Sequence, residues 1–141
     1  MPVRKASAVW EGSLKEGKGN LKLGSGVYQG PYSFGTRFED KPGTNPEELI
    51  AAAHAGCFSM ALSAGLGKAG FTPDRIATTA EVTLDKVGEG FGITLIKLRT
   101  EASIPNIDEK TFRQQVEAAK TGCPISKALA ATKIELDAKL V

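Results

Sequence analysis

The apolar positions along this chain change period several times, and each change marks an element. Over residues 5–11 they alternate weakly through Ala6, Ala8 and Trp10, and Leu21 and Leu23 mark a second short run beyond Gly17-Lys18-Gly19. The intervening turn residues predict a small antiparallel meander. Over residues 24–43 no period survives. Tyr28, Pro31, Tyr32, Phe34 and Phe38 sit among glycines there, predicting a long loop of the kind that often carries function. The pattern then turns helical over residues 46–68. Asn45 can cap, Pro46 suits the first helical position, and Glu48 completes the spacing of a capping box, while Gly70 supplies the stop.

From Leu49 to Leu66 that helix has no Asp, Glu, Lys or Arg. A helix uncharged all round is expected to be buried all round, in a core or a bilayer. Its length sits at the lower edge of a span, but its Ala, Ser, Gly, His and Cys content is too weakly apolar for one. A central core helix is predicted. Beyond it, Ile76, Thr78, Ala80, Val82 and Leu84 alternate with polar residues and predict a half-buried strand over 76–85. The return strand over 91–103 switches phase between Ile93/Leu95 and Ile96/Leu98, which predicts a bulge or a strand covered on both faces. Asp108 caps a helix over 109–121 with Phe112, Val116 and Ala119 inward and Gly122 as its stop. A short helix over 124–130 and an alternating strand over 133–140 follow. Strands, long helix, strands, helices and strand in that order predict one α+β domain over residues 1–141, with antiparallel sheet.

Composition narrows the partners. Lys and Arg number 18 against 16 Asp and Glu, with no basic stripe, so nucleic acid is not expected. Met1-Pro2-Val3-Arg4-Lys5 leads into mixed sequence rather than an apolar run, so no signal peptide is read and a cytoplasmic location is expected. In that compartment the 2 cysteines and 1 histidine do not suggest a permanent disulfide or a structural zinc site. Inert thiols or redox chemistry remain.

The polar residues of the long helix share a stripe. At about 100° per residue, Glu47 and His54 fall roughly 20° apart and Cys57 about 60° further, while Glu48 faces away. A carboxylate, an imidazole and a thiol on one buried face make a candidate site. Each also has a plainer role: Cys57 as a small apolar filler, His54 as a satisfied core residue, Glu47 as a complement to the helix dipole. A buried thiol needs help to ionise, and Arg37, gripped by a carboxylate such as Glu47, has the chemistry to give it; otherwise Arg37 is an ordinary loop cation. Cys123 sits just before Pro124 at a helix start, where thiol pKa values fall, so it could be the more acidic of the two. The residues alone leave the order of attack open.

These motifs resemble a known family. Arg37-Phe38-Glu39, then Gly43-Thr44-Asn45-Pro46-Glu47-Glu48-Leu49 running into Ala53-His54-Ala55-Gly56-Cys57-Phe58-Ser59, is similar to the OsmC/Ohr thiol peroxidases. Gly122-Cys123-Pro124-Ile125-Ser126 matches that family's second cysteine motif. Trp10-Glu11-Gly12 and Leu84-Asp85-Lys86-Val87 extend the likeness over nearly the whole chain, and the Ala-His-Ala-Gly-Cys form resembles the OsmC branch. The resemblance implies a peroxidatic Cys57, a resolving Cys123 that closes a disulfide with it, and Arg37 and Glu47 activating Cys57. It implies no metal or cofactor, and His54 as a neighbour only. The implied substrate is an organic hydroperoxide in preference to hydrogen peroxide. The implied partners are a thiol reductant, with a lipoyl-type dithiol as one candidate, and a second copy of the chain in an intertwined homodimer. No membrane or nucleic-acid partner is implied. The rival is a small-molecule or lipid-binding α+β dimer with incidental cysteines.

Overall fold

Short alternating segments separated by glycine turns pair locally. In the computed structural model, which describes residues 1–141, they form an antiparallel meander of β1 (Ala6–Glu11), β2 (Lys18–Leu23) and β3 (Gln29–Tyr32). The register puts Gly19 opposite both Trp10 and Tyr32, whose rings meet with centroids 5.5 Å apart. A Cβ at Gly19 would strike both rings, so glycine is required there by close approach. Over residues 24–43 the expected loop is instead β3 followed by a one-turn helix, α1 (Phe34–Phe38). Pro31 is tolerated because β3 is an edge strand. A capping box starts α1: the Ser33 hydroxyl accepts from the Thr36 N–H at 3.2 Å, and Thr36 Oγ1 accepts from the Ser33 N–H at 2.9 Å.

Residues Met1–Leu49 form one unit and Ile50–Val141 a second, the boundary falling in the first turns of α2 (Pro46–Lys68). Asn45 caps α2 by accepting the Glu48 N–H at 2.8 Å, and Gly70 takes φ 91° just past its end. In the second unit β4 (Arg75–Val87) and β5 (Gly90–Ser103) pair antiparallel, with Thr83 opposite Leu95 and Leu84 opposite Ile93. Thr94 is therefore the extra residue of a bulge, at the phase switch seen in the sequence. Its hydroxyl donates to Asp85 at 2.8 Å. Beyond the bulge Ile96, Leu98, Thr100 and Ala102 all turn inward and are buried.

The chain then crosses through α3 (Glu109–Gly122) and α4 (Pro124–Ala128) before β6 (Lys133–Leu140) joins the edge of β5. The pattern predicted this last strand over the same residues, but it pairs parallel to β5, not antiparallel. A helical crossover returns the chain to the same end of the sheet, which makes a parallel pair possible. The core gathers Phe58, Leu62 and Leu66 of α2, Leu98 and Ala102 of β5, Phe112, Val116 and Ala119 of α3, and Ala138 of β6. By length and composition alone α2 could cross a bilayer, but its Phe58, Leu62 and Leu66 are the centre of this core.

The expectation that α2 is buried on every face does not hold for one chain. Ala53, Gly56, Ala64 and Gly67 are exposed, and Met60 is 76% exposed. These residues recur at helical spacing opposite Phe58, Leu62 and Leu66. The sheet and α3 cover only one side of a helix, so the other stripe lies bare.

Candidate active site

In the first unit, α1 and the start of α2 are tied by one side chain. Asn45, besides capping α2, donates through Nδ2 to the Thr36 carbonyl at 2.9 Å. The next residue in α1, Arg37, then reaches Glu47 in the first turn of α2. Arg37 Nε donates to Oε1 at 3.0 Å and Oε2 at 3.2 Å, and Nη2 donates to Oε1 at 2.8 Å. This is a forked grip that a lysine could not reproduce. Glu47 is buried, whereas the Arg37 side chain keeps 37% of its surface open. A guanidinium held in this way keeps N–H donors free for a second anion. Its carbon lies 5.3 Å from the centroid of Phe38, which in turn packs on Phe34 at 4.9 Å.

In the second unit, the turn between α3 and α4 brings Cys123 to Cys57 of α2, with the sulfur atoms 2.7 Å apart and both thiols free. Cys123 closes α3 by donating its N–H to Ala119 O at 3.0 Å and immediately precedes Pro124 at the start of α4. It is completely buried, whereas Cys57 is only half-buried. The two thiols differ in acidity. Burial and the hydrogen bond with Cys123 push the Cys57 thiol up, against an opposing backbone bond from Ile125. Burial also resists ionisation of Cys123. The Cys57 hydrogen bond, the N–H and hydroxyl of Ser126, and the Ile125 N–H outweigh it and bring Cys123 below the ordinary thiol value.

His54 is also fully buried, and its Nε2 lies 2.7 Å from the Ser126 hydroxyl. Burial lowers its pKa, so the ring is neutral at physiological pH. Ser126, which touches both His54 and Cys123, escaped the reading of the sequence. Its signal was position: third residue of the helix that Cys123 opens, and thus facing back toward the cap. Phe58 follows Cys57 in the chain but turns into the core with no exposed surface, so it does not line the approach to the thiol. The structure thus assembles the residues of interest as two groups, Arg37 with Glu47 and Cys57 with Cys123, Ser126 and His54.

The profile of the family described as OsmC-like protein matches residues 38–138. The chain belongs to the OsmC-like family. It is 57% identical over 138 residues to the peroxiredoxin OsmC of Escherichia coli (strain K12), covering 97% of this chain and 96% of that one. Identity to the organic hydroperoxide resistance protein OhrB of Bacillus subtilis (strain 168) is 33% over 105 residues, covering 72% and 71%. The higher identity thus falls on the OsmC side, in accord with the Ala-His-Ala-Gly-Cys form. Among solved structures, the OsmC-like protein from Mycoplasma pneumoniae superposes with a TM-score of 0.76 at 18% identity, covering 99% of this chain and 98% of that one. An organic hydroperoxide resistance protein from Elizabethkingia anophelis gives 0.74 at 23% identity, with 99% of both chains covered. The OsmC-like α+β fold is therefore shared at low sequence identity.

Proposed function

We propose that the chain is a cytoplasmic, thiol-dependent hydroperoxide reductase that needs no metal or bound cofactor and acts as a homodimer of single 141-residue domains. The observation that carries this reading is the pair of free sulfurs at 2.7 Å, one buried and one reachable. Exposure supports Cys57 as the attacking thiol: a peroxide can approach half-buried Cys57 but not fully buried Cys123. The lower pKa of Cys123 does not contradict this, because Cys57 can pass its proton to the Cys123 sulfur as it attacks. The Cys57 thiolate bonds to the distal peroxide oxygen, the O–O bond breaks, and the alkoxide leaves and takes up a proton as the alcohol. Cys57 is now a sulfenic acid. Cys123 attacks the Cys57 sulfur, the S–O bond breaks, and the hydroxide departs as water with the thiol proton. An external thiol, for which a lipoyl-type dithiol is a candidate, reduces the disulfide and resets the enzyme.

Arg37, aimed by Glu47, supplies positive charge for the thiolate and the leaving alkoxide. The neighbouring Phe34–Phe38 pair offers apolar surface for an alkyl group, which favours organic hydroperoxides over hydrogen peroxide. The bare stripe of α2 around Met60 is covered by the same stripe of a second copy, since a two-fold axis matches a patch with itself. In that dimer Arg37 of one protomer serves Cys57 of the other. The resemblances to OsmC and OhrB support the activity, and the pairing of two thiols supports its division between them.

Two experiments test this. One equivalent of cumene hydroperoxide should remove both free thiols and lower the intact mass by two hydrogens, faster than the same dose of hydrogen peroxide. Unchanged thiols would favour a binding protein with incidental cysteines. Co-refolding inactive Arg37→Ala and inactive Cys57→Ser chains should restore activity if Arg37 acts across the interface, because the mixed dimer then keeps one intact site. A mixture that stays inactive places Arg37 and Cys57 of one chain in the same site.

A further inference from the structure

The peroxidase chemistry above leaves one buried titratable side chain without a role. His54 has no exposed surface, and only one of its ring nitrogens is satisfied: Nε2 meets Ser126 Oγ at 2.7 Å, while Nδ1 meets no partner. The unpartnered atom fixes the tautomer. A buried N–H without an acceptor is rarer in folded proteins than a buried acceptor without a donor, so Nδ1 carries the bare lone pair and Nε2 carries the hydrogen. Nε2–H then donates to Ser126 Oγ, and the serine must turn its own hydrogen elsewhere. Ser126 lies on the first turn of α4, and its hydroxyl and N–H both favour the ionised form of the Cys123 sulfur. The result is a one-way relay of donors from His54 through Ser126 to Cys123.

We propose that His54 and Ser126 are positioning residues for Cys123: the neutral imidazole orients the serine hydroxyl so that its hydrogen is held against the Cys123 sulfur, keeping that sulfur reactive and aimed at Cys57. No proton changes owner along the relay. The imidazole acts as a fixed dipole, because burial keeps it uncharged. The titratable group facing Cys123 from α2 is Cys57, and the flanking cations are peripheral, Lys127 of α4 being exposed and Lys120 of α3 half-buried. Two further features agree. Ser126 is buried, where a hydroxyl without partners on both sides would be costly, and the relay gives both its oxygen and its hydrogen a partner. His54 and Cys57 are three residues apart on one helix, so the relay starts from the same α2 face that presents the attacking thiol.

The inference rests on the peroxidase reading only for its kinetic consequence, and the two can fail separately. In the Cys57→Ser chain Cys123 is the sole thiol, and its ionisation can be followed by ultraviolet thiolate absorbance against pH. Ser126→Ala and His54→Leu should each move the midpoint upward, lowering the thiolate population at neutral pH about tenfold for each unit moved. His54→Gln, which keeps an amide N–H to offer Ser126, should stay near the parent. In the two-cysteine chain, Ser126→Ala and His54→Leu should prolong the sulfenic acid after a single hydroperoxide pulse, seen as several-fold greater dimedone capture. An unmoved midpoint in Ser126→Ala, which removes only one oxygen, overturns the proposal. A shift in Ser126→Ala without one in His54→Leu removes His54 from it, as does a His54→Gln profile no closer to the parent than His54→Leu. If hydroperoxide never oxidises Cys57 in the parent, the peroxidase reading fails while the absorbance result still decides the relay.

Discussion

Glu47→Gln separates the electrostatic grip on Arg37 from its packing. The glutamine keeps the shape and one acceptor oxygen but sets an amide NH2 against a guanidinium that now meets two carboxylate oxygens at 2.8–3.2 Å. A hydrogen bond to a charged group contributes about 1.5–3 kcal/mol, but the arginine side chain is 37% open to solvent and screening reduces that share. The net destabilisation should be about 1–2 kcal/mol, or roughly 3–6 °C in Tm for a chain of this size. The kinetic effect should be larger. A guanidinium released from its fork and displaced by about 1 Å can lose on the order of 100-fold in rate. Thermal scans and stopped-flow oxidation by cumene hydroperoxide measure the two effects on one preparation. A lowered Tm with an undiminished rate would show that the pair is structural only, and no change in either would refute the reasoning from its geometry.

Other outcomes follow from the same structure. Leu62→Ala, at a fully buried position of α2, should cost about 2–5 kcal/mol in urea unfolding, and a cost near zero would mean that the core of α2 is misassigned. Because burial sets the folded pKa of His54 below its ordinary 6.5, the unfolded chain takes up the proton first as pH falls. The stability advantage of the parent over His54→Gln should therefore be full above that value and shrink as the pH drops below it; a gap constant with pH would count against a neutral buried ring. Met60→Glu places a charge in the bare stripe of α2 and should convert a dimer to monomer or aggregate by light scattering, whereas an unchanged dimer mass would put the interface elsewhere.

Much of the fold is legible in the chain because its signals are local and redundant. Asn45-Pro46 and Gly70 bracket α2, Asp108 opens α3 with its side chain accepting the Thr111 N–H at 3.0 Å, and the phase slip before Ile96 marks the Thr94 bulge. Direction is not local: the alternation over 133–140 specifies a strand whichever way it pairs, so the parallel partner β5 was hidden. Between residues 24 and 43 the elements are too short to show a period. The Ser33/Thr36 box that starts α1 was present in the sequence but sat among glycines and aromatics. The uncharged α2 promised cover on every side, which the one sheet and one long packing helix of the second unit do not give. At the site, thiols, carboxylate and guanidinium stood out by type, while Ser126 did not, because a serine gains meaning only from what the fold sets beside it.

The central claim is the division of labour between the two thiols, and a single-turnover comparison of two variants tests it most directly. Cys123→Ser should consume one equivalent of cumene hydroperoxide and then stall as a sulfenic acid that dimedone traps on Cys57, seen by intact mass. Cys57→Ser should consume none, because its remaining sulfur is completely buried. The opposite pattern, reaction in Cys57→Ser and silence in Cys123→Ser, would contradict the account and assign the attack to the more acidic thiol at the start of α4.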